Sequence, residues 1–150
     1  LALARPDARV WAVDASTAAL AVARENGQRL APAVTFLEGN WFAPLAGLSF
    51  HLVVSNPPYV AAGDPHLDLN GLPFEPASAL TDGGDGLACL RAIIANASPY
   101  LEPGGWLLLE HGYDQALACR ELLAAAGFQS IGSWRDLGGI ERVTGGRKPG

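Results

Sequence analysis

Asn56, Pro57, Pro58 and Tyr59 follow directly on a run, FHLVVS over 50–55, that reads as a buried strand. Two consecutive prolines must end a strand, because neither donates to the ladder and both fix φ. They also leave a backbone that offers carbonyl acceptors with no competing donors. Suppose a planar amide or an aromatic amine is brought here. Its nitrogen lone pair is delocalised, so it attacks poorly unless it is held and polarised. The Asn56 side-chain oxygen and the Pro57 carbonyl can each accept one of its two N–H bonds, and Tyr59 can pack against its plane. The work would come from positioning and from dipoles aimed at the charge forming on nitrogen. No strong base is required, because the nitrogen becomes acidic once its lone pair is used. That suits a sequence whose histidines, His51, His66 and His111, all read as structural.

Two further strand ends carry chemistry. Asp14 closes RVWAVD over 9–14. An acid there can accept both hydroxyls of a ribose, or it can cap the helix that follows, and the two roles are compatible. EGNW over 38–41 closes the next strand. Asn40 can read an adenine edge with its amide, and Trp41 offers a flat surface to the ring. The competing reading of Trp41 is a lid over the core.

These groups need a scaffold, and the chain supplies alternating strands and helices. Helix is expected over 16–30 with Ser16 as N-cap, over 86–101 until Pro103-Gly104 breaks it, and over 113–127 before Gly127. Strands are expected over 9–14, 33–39, 50–55, 105–112, 128–136 and 142–147, the last two as an antiparallel pair at a sheet edge. Apolar, β-branched strands alternating with helices imply an α/β fold, an open parallel sheet covered on both faces. Ligands then sit beyond the carboxyl ends of the strands, which puts Asp14, Glu38 to Trp41 and Ser55 to Tyr59 on one rim. The long irregular stretch from Val60 to about Asp85, rich in proline and glycine, is of the length that is usually functional or disordered.

The bulk composition narrows the class. A chain of 150 residues, 49% hydrophobic, suits one globular domain. A net charge of −5 argues against a surface built to grip nucleic acid. Cys89 and Cys119 stand far apart and in no metal-ligand spacing, so no metal is expected. No apolar run reaches the ~18 residues of a membrane span. A soluble, cytoplasmic protein is expected. The start, LALARPD, reads as the last turn of a helix, and the chain contains no methionine; both suggest a fragment.

VDAS, GNWF, VVSNPPYV, FEPASALTDGGDGL, GGWLLLEHG and ERVTGGR occur in this order. Together they resemble the release factor glutamine methyltransferases, from about residue 9 to residue 147. NPPY alone is shared with adenine DNA methyltransferases and some RNA guanine methyltransferases; FEP…AL…GGDGL is narrower. The resemblance implies a Rossmann-like fold and S-adenosyl-L-methionine as methyl donor. The substrate it implies is the glutamine amide in the Gly-Gly-Gln loop of a peptide chain release factor. Asp14 would bind the cofactor ribose, and Asn40 and Trp41 the adenine. Asn56, at the cofactor as well, would hold the glutamine amide together with Pro57, Pro58 and Tyr59. Glu75 and Pro76 would shape the mouth through which the substrate loop enters. Asn40 stands where members often carry aspartate, and Pro73 where a basic residue is frequent.

Members of that family also have a first strand ending in a Gly-rich loop and an N-terminal helical domain. Neither precedes Asp14 here, and GGDGL lies downstream of NPPY. Residues 1–150 therefore read as a partial catalytic domain lacking a central strand; the strands at 9–14 and 50–55 would either close the gap or leave Val10, Ala12, Leu52 and Val54 in water. Rival readings are an enzyme of the same fold acting on an exocyclic nitrogen of a nucleic-acid base, a dinucleotide-binding module, and an inactive remnant. A monomer that meets no nucleic acid and no membrane is expected.

Overall fold

The computed structural model describes residues 1–63, 76–81 and 83–150, so His66, Pro73 and Glu75 lie outside the described residues. The chain divides into two compact units, Leu1–Leu48 and Ser49–Gly150.

In the first unit β1 (Trp11–Asp14) and β2 (Thr35–Glu38) pair in parallel, Trp11 against Thr35 and Asp14 against Glu38. Helix α1 (Thr17–Leu30) connects them. Ser16 is its N-cap, as expected, with the hydroxyl accepting from the Ala19 N–H at 3.2 Å. A parallel pair needs such a crossover, and this one closes tightly. A Cβ on Gly27 would lie 2.6 Å from the Phe36 ring, so only glycine lets α1 approach β2 at this point. Leu20, Phe42 and Leu45 form the buried apolar set of this unit among the described residues.

The second unit is built on a four-stranded sheet in the order β3-β4-β6-β5. Its strands are β3 (Phe50–Ser55), β4 (Leu101–Glu110), β5 (Gln129–Arg135) and β6 (Glu141–Arg147). β3 runs parallel to β4, while β6 is antiparallel to both β4 and β5. The antiparallel pair expected at the edge is present, with β5 outermost. Among the described residues this unit has the helices α2 (Ala77–Leu80), α3 (Ala88–Ala97) and α4 (Ala116–Ala125). Leu90, Ile93, Ile94 and Ala97 recur at the spacing of one helix face, and all are buried. With Leu107 and Leu109 of β4 at 0% exposure, each large apolar side chain contributes about 1.5–3 kcal/mol by leaving water. At the edge strand β3, Leu52 and Val54 are 39% and 54% exposed.

Two expectations are corrected. The helix expected over 86–101 ends at Ala97, where the chain tightens into a 3-10 turn over Ser98–Tyr100. Pro99, without an N–H, ends the ladder there. Pro103 and Gly104 consequently lie inside β4. They are accommodated because the pairing jumps from Phe50–Leu101 to Leu52–Trp106, a bulge in which proline is tolerated. Helix α4 likewise starts later than expected, after a turn in which the Gln115 N–H bonds the Gly112 carbonyl at 3.1 Å. It closes as expected, with Gly127 at φ +84 and the Phe128 N–H reaching back to the Leu123 carbonyl.

Candidate active site

In the first unit, Asp14 and Glu38 are register partners at the carboxyl ends of the parallel pair. One carboxylate oxygen of Asp14 accepts from the Ser16 N–H at 2.7 Å. The helix-entry role is therefore real. The side chain is nevertheless exposed, and its second oxygen meets no donor among the described residues. Glu38 accepts from the Thr17 hydroxyl at 3.0 Å, so both strand ends are tied to the start of α1. Asn40 is exposed, and its carbonyl accepts from the Ala43 N–H at 3.0 Å, opening the 3-10 turn Ala43–Leu45.

Trp41 has φ +48, a left-handed conformation that is an outlier for a bulky aromatic residue and costs of order 1–3 kcal/mol. At 38% exposure it does not lid the core; Phe42, 7% exposed, takes that place. An exposed carboxylate with an open oxygen and an exposed indole thus stand at one end of one parallel pair. That donor set fits vicinal hydroxyls and a flat ring.

In the second unit, Asn56 to Tyr59 leave the carboxyl end of β3, where Ser55 pairs with Leu109 of β4. Pro57 is buried, Pro58 and Tyr59 are half-buried, and Asn56 is exposed. The Asn56 amide has no hydrogen-bond partner among the described residues, and the backbone that carries it sets where its Cα–Cβ bond points. The Tyr59 hydroxyl donates to Glu110 at 3.2 Å. Burial first, then the Glu110 charge and hydrogen bond, push the phenol above its ordinary pKa, against a smaller opposing effect of Arg142. The phenol accordingly stays a donor at neutral pH. Pro76 is exposed, and its carbonyl accepts from the Ala79 N–H at 2.8 Å at the start of α2.

The chain after Tyr59 is stitched to the glycine-rich segment. The Val60 N–H bonds the Leu80 carbonyl at 2.9 Å, and the Ala62 N–H bonds the Gly84 carbonyl at 2.8 Å. Gly86, at φ +77, presses against Tyr59: a Cβ there would overlap the Tyr59 carbonyl oxygen. Gly86 of GGDGL thus serves as packing surface for the Tyr59 carbonyl. Asp85 holds the turn, accepting from the Leu87 N–H at 3.0 Å and pairing with Arg91 at 2.7 Å, and Arg91 holds its carboxyl below the usual range.

A buried polar network lies behind the end of β4. The fully buried His111 contacts the Gly112 carbonyl through Nδ1 at 2.8 Å and the Thr144 hydroxyl through Nε2 at 2.7 Å. A carbonyl only accepts, so Nδ1 donates to Gly112, while Nε2 and the Thr144 hydroxyl share the second hydrogen bond. Ser133 bonds Thr144 at 2.8 Å, and Arg120 donates to Ser133 at 2.7 Å. His111 is structural, as expected. Glu110 and Gln115 were not singled out by the sequence. Glu110 carried the same signal as Asp14, an acid at a strand end; Gln115 carried none.

Among the described residues, no group of histidine, cysteine and acidic side chains could hold a metal ion, and no helix is long and apolar enough to cross a membrane. A surface hollow of about 310 Å³ between α3 and α4, lined by Leu87, Arg91, Glu121 and Leu122, includes none of the expected site residues.

Comparison with known proteins agrees with this architecture. A release factor glutamine methyltransferase from Burkholderia pseudomallei is 57% identical over 157 residues, covering 100% of this chain and 55% of that protein. One from Pseudomonas aeruginosa is 50% identical, covering 98% and 54%. The chain thus spans about half the length of the curated relatives it matches. A methyltransferase from Pyrococcus furiosus superposes with a TM-score of 0.72 at 18% identity, over 95% of this chain and 64% of that one, which shows the α/β methyltransferase fold. A release factor-specific protein-(glutamine-N5) methyltransferase from Alicyclobacillus acidocaldarius matches with a TM-score of 0.51 at 25% identity, over 95% and 80%. The family described as methyltransferase small domain matches residues 1–85, more than half of the sequence. The chain belongs to that family.

Proposed function

We propose that this chain is the methyl-transferring part of an enzyme that methylates the side-chain amide nitrogen of the glutamine in the Gly-Gly-Gln loop of a peptide chain release factor. The observation that carries the reading is the exit of β3. Asn56 is exposed there, with no partner for its amide among the described residues, beside two prolines and a tyrosine tied to Glu110, in a chain 57% identical to an enzyme named for that reaction.

The donor set of the first unit fits the nucleoside end of S-adenosyl-L-methionine. Asp14 would accept from the ribose hydroxyls through its open oxygen, Asn40 would meet the adenine edge and Trp41 its face. When bound, this cofactor supplies an electrophilic methyl carbon on a sulfonium sulfur. The role of the chain is to hold the nucleophile. The Asn56 side-chain oxygen and the Pro57 carbonyl accept the two amide N–H bonds, and Tyr59 packs on the amide plane. The proton then leaves to water, because the alkylated nitrogen is acidic. Glu75 and Pro76 would border the entry of the substrate loop.

We further propose that the working enzyme includes a preceding strand with a Gly-rich loop and a helical domain, and that it acts as a cytoplasmic monomer without a nucleic-acid ligand. The test is direct. The full-length enzyme, the labelled cofactor and a release factor are combined, and the methylated residue is located by fragmentation mass spectrometry. Methyl on the Gly-Gly-Gln glutamine is expected; methylation of nucleic acid with none on the release factor would overturn the reading.

A further inference from the structure

We propose that Gln115 is a positioning residue for this transfer: its side-chain amide locks the Tyr59 carbonyl against Gly86 and Gly112, and so fixes where Asn56 points. The proposal rests on the function proposed above and deepens it.

Gln115 is 9% exposed and precedes the first residue of α4. A buried amide is costly unless its donors and acceptor are met. Here they are met by three backbone segments. Oε1 accepts from the Gly112 N–H at 2.8 Å, and Nε2 donates to the Tyr59 carbonyl at 2.9 Å and to the Gly86 carbonyl at 3.3 Å. One side chain thereby joins the exit of β3, the glycine-rich segment and the exit of β4. A leucine or methionine could fill the same volume, so packing alone gives no reason for an amide.

The reason lies with Asn56. Its amide has no partner among the described residues, so the backbone sets the direction from which it can meet a substrate. Between Asn56 and the point held by Gln115 stand Pro57 and Pro58, whose φ angles are fixed by their rings. Orienting the Tyr59 peptide plane therefore restricts the whole segment back to Asn56. Gly112 is itself pinned, since its carbonyl receives both the Gln115 N–H and His111 Nδ1. The anchor behind Gln115 is thus the buried chain that runs from His111 to Thr144 and Ser133. A nucleophile misplaced by about 1 Å can lose on the order of 10²-fold in rate.

The test uses two nearly isosteric variants of the full-length enzyme, Gln115→Glu and Gln115→Met. The glutamate keeps the acceptor toward Gly112 but sets an anionic oxygen against two carbonyls. Protonated, it regains a donor for Tyr59. At neutral pH we expect kcat to fall about 10²-fold in both variants, with the cofactor Kd by calorimetry within about threefold of the parent. As pH is lowered, the Gln115→Glu rate should recover relative to Gln115→Met. Tyr59, Asp85 with its partner Arg91, Glu110, His111 and Asp114, the charged and titratable groups around the segment among the described residues, are present in both and cancel in that ratio. Parental kcat in both variants would overturn the proposal, as would a loss that tracks thermal stability and shows no recovery at low pH. Should the variants fail to fold, hydrogen exchange of the Gln115 side-chain amide in the parent decides: slow exchange supports the clamp and rapid exchange overturns it. A parent enzyme that leaves the release factor unmethylated would instead sink the proposed function and not the clamp.

Discussion

The carboxyl ends of β1 and β2 and those of β3 and β4 carry site groups in different ways. At the first, Asp14, Asn40 and Trp41 are exposed and are held by neighbours close in sequence, such as Ser16 and Ala43. At the second, Tyr59 is tied to Glu110, 51 positions away, and to Gln115, 56 positions away, both through half-buried or buried groups. The difference matches what each end is proposed to do. A cofactor gripped through several hydroxyls and a ring tolerates small displacements, whereas a nitrogen that must face one carbon does not. Local ties suffice for affinity; orientation calls for long-range ones.

The largest effect is expected at Gly86. Gly86→Ala forces a Cβ onto the Tyr59 carbonyl and to 2.8 Å from Gln115 Nε2. Its cost should be about 1–3 kcal/mol for overpacking, added to the left-handed backbone penalty, with turnover falling along with stability. Gly83 is the control, at φ +75 with nothing within 4 Å, and Gly83→Ala should cost only about 1 kcal/mol. Urea unfolding of the full-length enzyme measures both. Equal costs would mean that the Tyr59–Gly86 contact is loose.

At the exposed end, Asp14→Ala should weaken cofactor binding by about 2–3 kcal/mol, because charge-assisted contacts to two hydroxyls are lost. Its effect on the rate at saturating cofactor should be small. An unchanged dissociation constant in calorimetry would leave Asp14 as a helix-entry group alone.

A smaller effect is expected from Tyr59 in alkaline solution. Its folded pKa is raised above the ordinary 10.0. The stability it contributes is therefore fully present below pH 10.0 and is lost as pH rises through the higher folded value. Spectrophotometric titration should show a late-ionising phenol that Tyr59→Phe removes. Removal of an ordinary component would contradict the burial and Glu110 contact described here.

The sequence was most legible where chemistry and local structure coincide. Ser16 as N-cap, Gly127 as helix stop, the strand ends at Asp14 and Ser55 and the antiparallel pairing of β5 with β6 all follow from short-range rules. Pro103-Gly104 misled, because a bulge in β4 lets a strand carry a dipeptide that normally ends an element. Trp41 was legible as a candidate, but its left-handed backbone was not, since nothing in EGNW demands it. Gln115 was invisible for a plainer reason. Its meaning lies in Tyr59, Gly86 and Gly112, and only the fold brings those backbone groups together.

Asn56 is proposed to orient the nucleophile and to do little for cofactor affinity. Single-turnover methylation of a release factor by the full-length enzyme, parent against Asn56→Ala, tests it with cofactor calorimetry alongside. A rate reduced by about 10²-fold or more, with cofactor affinity nearly unchanged, is the expected result. Equal rates in the two proteins, or a loss wholly accounted for by weaker cofactor binding, would contradict it.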